Sequence, residues 1–136
     1  MRVLHVITAL GVGGAENMLL KLLGASPLAG VEQHVVTLLP GGRLTAEVAA
    51  AGRGVRELDL LGPVALPRDL ARLALHARRL APDVVQGWMY HGNLGACVVA
   101  ATQGRRISQV WSVRQSLPSL AGENAFARAA IHLNRA

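Results

Sequence analysis

The chain reads as an α/β domain built on a doubly wound parallel sheet of strand order 3-2-1-4-5. Three observations lead there. Short apolar, β-branched-rich runs alternate with segments of helical periodicity through five rounds, and such alternation gives a parallel sheet with helices on both faces. The first run passes through glycines straight into a helix, VLHVITALGVGGAEN over residues 3–17, as the βα units of open sheets do. Hydrophobic residues make up 51% of the chain and aromatics only 3%, so the core is aliphatic, as strands buried on both faces require. With 136 residues, the chain suits one domain with a substantial core.

In order, Val3 to Ile7 forms the first strand, and a helix is expected from about Ala15. There Ala15, Met18, Leu19, Leu22 and Leu23 follow the i, i+3, i+4, i+7, i+8 spacing of a buried face, and Gly24 ends it. Gln33 to Leu39 reads as the second strand, closed by Pro40, Gly41 and Gly42. A short helix from Leu44 to Ala51 stops at Gly52. Val55 to Leu61 is the third strand, and its alternating Glu57 and Asp59 predict an edge. After a turn-rich linker, Pro67 suits a helix start. In that helix Leu70, Leu73, Ala77 and Leu80 form the buried stripe, and Arg68, Arg72, His76 and Arg79 form a basic face. Such a face fits either solvent or a membrane surface. Val84 to Trp88 is the fourth strand, followed by a loop from Met89 to Gly92. Asn93 is expected to cap the next helix, which Gly104 ends. Ile107 to Val113 is the fifth strand, then a polar loop at Arg114, Gln115 and Ser116. A last helix opens at Glu123 and runs to Ala136.

Composition excludes several classes. No apolar run approaches the roughly 18 residues of a membrane span. The single Cys97 forms no internal disulfide, which fits a reducing cytoplasm. The net charge of +6, carried almost wholly by Arg, is compatible with nucleic acid, anionic lipid or a phosphorylated substrate. Single-stranded nucleic-acid platforms need aromatics among the basic residues, and so few are present that a nucleic-acid partner is not expected. Arg2, the apolar run and small residues near Ala15 imitate a secretory signal, but His5 and Thr8 interrupt the run.

The chemistry gathers in the glycine turn. Gly11, Gly13 and Gly14 leave the backbone open to a ligand, and the helix that follows offers unpaired N–H groups and the positive end of a dipole. Strand, bare turn and helix start together suit a phosphate, although idle turns of this shape also occur. The dinucleotide fingerprint fails, because its third glycine falls on Glu16 and no acid ends the second strand at Leu38, Leu39, Pro40. No Walker loop, serine or cysteine nucleophile motif occurs. His91 and Cys97 lack a recognisable zinc set, so no metal is expected. In the predicted sheet, ligands bind where the strand order reverses, between strands one and four. That places the glycine turn beside the loops after strands four and five.

Four stretches then become familiar in the expected order: MRVLHVIT-L-x-x-GGAE, HVV-x-L-x-PGG, PDVVQGWMYHGNL and VWSVRQSL. Together, from Arg2 to Ser116, they resemble the N-terminal domain of family 4 glycosyltransferases. The resemblance implies one half of a GT-B fold, in which two Rossmann-like domains face each other across a cleft. It implies a retaining hexosyltransferase-like enzyme, of the kind that builds bacterial cell-envelope polysaccharide, working without a metal or other cofactor. Its partners would be a nucleotide-sugar donor, UDP- or GDP-linked, and a sugar or lipid-linked acceptor. The setting implied is the cytoplasm, with room for peripheral contact on the inner face of the membrane.

By this resemblance Gly13, Gly14, Glu16 and Arg114 meet the donor phosphates or sugar, and Trp88, Tyr90, Asn93 and Gln115 line the acceptor side. His91 hydrogen-bonds a sugar hydroxyl or steadies developing charge. Each has a plainer alternative: a solvent-facing or capping His91, a salt-bridged Arg114, packed rings at Trp88 and Tyr90, and Glu16 as a dipole partner. Relatives often carry His-x-His at the end of the fourth strand, where this chain has Gln86 and Trp88. No E-x7-E motif occurs. Residues 1–136 are thus expected to be one Rossmann-like domain of a truncated enzyme whose donor-gripping domain is absent, inactive alone. The competing expectation is a non-catalytic module for a phosphoryl ligand or anionic lipid.

Overall fold

A computed structural model describes residues 1–25, 30–52, 54–60, 66–104 and 106–112. The elements are β1 Arg2–Ile7, α1 Gly14–Gly24, β2 Glu32–Thr37, α2 Thr45–Ala51, β3 Val55–Glu57, α3 Leu66–Leu80, β4 Val84–Trp88, α4 Met89–Thr102 and β5 Ser108–Ser112. Every strand pair is parallel, and the order is β3-β2-β1-β4-β5. The predicted doubly wound sheet is therefore the fold.

Side-chain alternation along β1 divides the core in two. Ile7 packs with Leu19, Leu23 and Val48 under α1 and α2, while Leu4 and Val6 pack with Leu73, Ala77 and Val99 under α3 and α4. Each fully buried aliphatic side chain stabilises the fold by about 2 kcal/mol, so both layers are needed to hold β1 at the centre.

Three expected boundaries move. β2 and β3 are shorter than their apolar runs, yet pairing continues past both. Leu38 and Leu39 donate to the Ile7 and Thr8 carbonyls at 2.9 and 2.8 Å, and Leu58 and Leu60 to Thr37 and Leu38 at 2.9 and 3.0 Å. The face of α1 is narrower than its periodicity suggests. Ala15, Leu19 and Leu23 are buried, whereas Met18 and Leu22 are exposed, because a single i, i+4 ridge meets the sheet. Finally, Met89 to Gly92 is no loop, since α4 begins directly after Trp88.

The basic face of α3 is also partly internal business. Asp69 is fully buried, and Arg72 and Arg68 reach its Oδ1 at 2.9 and 3.4 Å. His76 is half-buried rather than outward-facing. Leu75, exposed on the same helix, lies in the stripe 68, 72, 75, 79. Among the described residues no helix is long and apolar enough to cross a membrane. Of the expected linker from Gly62 to Pro67, Leu66 and Pro67 already belong to α3, while residues 62–65, the loop residues Arg114, Gln115 and Ser116, and the expected last helix lie outside the described residues.

Candidate functional site

The site is built where the sheet order reverses. β1 and β4 are neighbours, their chains leave toward opposite faces, and their carboxyl ends open a crevice between them. The turn after β1 forms one side. Gly13 is the N-cap of α1 in an extended conformation, φ −128° and ψ 179°. Its carbonyl accepts the Asn17 backbone N–H at 3.1 Å and the Asn17 side-chain amide at 2.8 Å. The turn rests on the loop before α2: Leu44 donates its N–H to the Leu10 carbonyl at 3.0 Å. Gly42, at φ +142°, lies so close to that same carbonyl that a Cβ would strike it.

Glu16 lies over this turn. Its carboxylate sits where a Cβ on Gly13 would point, and its Oε1 is 3.9 Å from the corresponding position on Gly11. A carboxylate folded back on a helix start is favoured by the dipole there. The chain thus sets an anion of its own at the place expected for phosphate. Gly14 has nothing within 4 Å of its Cβ direction and is exposed.

The opposite side is the junction of β4 with α4. Trp88 ends the strand at φ −114° and ψ 118°, and Met89 turns the chain with φ +62°, a left-handed conformation that costs a residue with a Cβ. This one-residue reversal replaces the expected loop. It places Tyr90 and His91, both half-buried, in the first turn of α4 at the carboxyl end of the sheet. Two glycines let that turn settle. A Cβ on Gly92 would meet the Val6 carbonyl oxygen, and one on Gly87 would lie 2.5 Å from Asn93 Cα. Asn93 is therefore not the N-cap but a fully buried residue of the second turn.

Trp88 is likewise not an open stacking surface. Its side chain is 1% exposed, tilted 55° against His5 with ring centroids 6.1 Å apart. Its indole Nε1–H donates to His5 Nδ1 at 3.3 Å. Because an indole only donates, His5 Nδ1 is the acceptor and Nε2 carries the proton, which goes to Gln33 Oε1 at 3.1 Å. Burial pushes the His5 pKa down to about 4, against the opposing pull of hydrogen bonds to Gln33 and Gln86. At neutral pH the ring is uncharged. In the sequence His5 reads only as a break in an apolar run. The parity of β1 and β4, which pairs His5 with Gln86, is the signal that would have marked a polar layer inside the sheet.

The structure thus brings Gly13, Gly14 and Glu16 to one side of the crevice and Tyr90 and His91 to the other. Trp88 and Asn93 lie beneath its surface, and Arg114 and Gln115 lie outside the described residues. Among the described residues no group of three or more His, Cys, Asp or Glu side chains is placed to hold a metal ion. No protein-family model matches the chain, and no curated protein matches it.

Proposed function

We propose that this domain is the acceptor-side half of a retaining glycosyltransferase, moving a sugar from a UDP- or GDP-linked donor to a sugar or lipid-linked acceptor. The observation that carries the reading is the turn after β1. Its glycines have negative or unremarkable φ, since none of Gly11, Gly13 and Gly14 is among the positive-φ glycines, and Gly14 meets no neighbour. The fold would accommodate a side chain at Gly14, and at Gly13 only the flexible end of Glu16 would have to give, so what glycine leaves open is space for an external group.

In this reading the α1 N-terminus faces the donor diphosphate, where negative charge grows as the glycosidic bond to the leaving group breaks, and backbone N–H groups steady it. Glu16 yields its place to the phosphate when the donor arrives. His91 and Tyr90 hold hydroxyls of the transferred sugar or the acceptor. Trp88 and Asn93 act from below, by fixing the start of α4.

The test is a titration of ¹⁵N-labelled protein with UDP-glucose, GDP-mannose, inorganic phosphate and phosphatidylglycerol vesicles. Shifts confined to the Gly13 and Gly14 amides and to α4's first turn on adding a nucleotide sugar are the expected result. Indifference to both nucleotide sugars even after a donor-binding domain is supplied in trans, with binding to vesicles, sinks the transferase reading. It would favour the second reading, a non-catalytic anionic-lipid module, for which the exposed Leu75 among Arg68, Arg72 and Arg79 on α3 is the specific observation.

A further inference from the structure

We infer that His5 is a positioning residue for the crevice: by accepting the Trp88 indole N–H inside the sheet, it holds the Trp88–Met89 reversal that presents Tyr90 and His91. The left-handed Met89 is unfavourable in itself and persists only where its surroundings hold it. From one side α4 is held by Gly92 seated on the Val6 carbonyl. From the other, the large ring of Trp88, adjacent in sequence to Met89, is fastened to β1 through His5 Nδ1 at 3.3 Å. His5 is fastened in turn to β2 through Gln33 at 3.1 Å. Three adjacent strands are thus cross-linked by side chains directly below the reversal.

Packing alone does not explain a histidine here. The site is fully buried in the central strand, between Val35 of β2 and Gln86 of β4, and an aliphatic side chain would fill it without the desolvation that an imidazole suffers. What an aliphatic residue lacks is an acceptor for the indole N–H, and an orphaned buried donor is costly. Because burial also keeps the ring neutral at neutral pH, Nδ1 remains an acceptor there.

The inference rests on the proposed function only in taking Tyr90 and His91 as ligand-facing. The test uses ¹⁵N-labelled full chain in three forms: wild type, His5→Asn, whose Oδ1 takes the place of Nδ1 as acceptor, and His5→Leu, which fills the space without one. The Trp88 indole N–H should be slowly exchanging in wild type and His5→Asn, and lose that protection in His5→Leu. The His91 imidazole and Tyr90 ring signals should move in His5→Leu and return in His5→Asn. If His5→Leu does not fold, Trp88→Phe breaks the same bond from its other end, and the same displacement of His91 is expected. Unmoved Tyr90 and His91 signals despite a lost Trp88 bond overturn the inference, as does an Asn variant displaced as far as the Leu variant. Adding UDP-glucose to each form separates the two ideas. Absence of binding in all three even with a donor-binding domain supplied in trans, with the spectra behaving as expected, overturns the transferase reading and leaves His5 as the positioning residue.

Discussion

The crevice has glycines on both sides, and they are there for opposite reasons. In the β4–α4 junction Gly87 and Gly92 are demanded by the fold, because backbone atoms of Asn93 and Val6 occupy the space where a Cβ would go, and backbone cannot step aside. In the β1–α1 turn Gly14 faces open space, and Gly13 faces only the flexible end of Glu16. The first pair is packing. The second is vacancy kept clear. A glycine that the fold does not need points more firmly to a ligand than one that it does.

Substitution separates the two sides. Gly92→Ala drives a methyl group into the Val6 carbonyl, and overpacking of this kind should destabilise the domain by about 3 kcal/mol, read as a lowered midpoint in urea denaturation. Gly14→Ala should be neutral or raise stability by about 0.5 kcal/mol, since alanine is favoured over glycine in the first turn of a helix. It should nonetheless weaken any phosphate-bearing ligand. Comparable losses of stability at both positions would erase the distinction.

The same contrast explains what could be read from the sequence. Strand order, both helical layers and the glycine turn were legible because each depends on local periodicity or on a handedness rule. The start of α4 was not, because Met89 adopts a conformation that its residue type does not advertise. An Asn following Met-Tyr-His-Gly looks like a cap when the turn before it is taken for a loop. With the reversal compressed to one residue, Asn93 falls instead in the helix's second turn, against Gly87. The burial of Trp88 followed from a tertiary contact with His5, 83 positions away, beyond any local pattern.

The polar layer under the junction should also appear in acid. The His5 pKa falls from 6.5 unfolded to about 4 folded, so the unfolded chain binds the extra proton first. Stability is then full above about pH 6.5 and is lost as pH falls toward 4, by on the order of 3 kcal/mol. His76 is lowered in the same direction, first by burial and then by the charges of Arg56, His34 and Arg79, and adds to the slope. Urea midpoints measured across this range should show the loss in wild type, and His5→Asn should flatten the part due to His5. A slope unchanged in that variant would mean that the imidazole is not held neutral.

The smallest effect is the most informative about the open side. Glu16 sets its carboxylate over the turn that a phosphate would enter, so the two anions compete for one helix start. Glu16→Gln keeps the size of the side chain and removes its charge. It should cost the fold at most about 0.5 kcal/mol of dipole interaction and should tighten inorganic phosphate at the turn by about twofold, the same interaction seen from the ligand's side. Calorimetry at low ionic strength reads the difference, which salt should diminish. If Glu16→Gln binds phosphate no better than wild type while Gly14→Ala binds it worse, Glu16 does not occupy the anion's place but borders it. The vacancy would then be larger than the turn alone and would extend toward Tyr90 and His91.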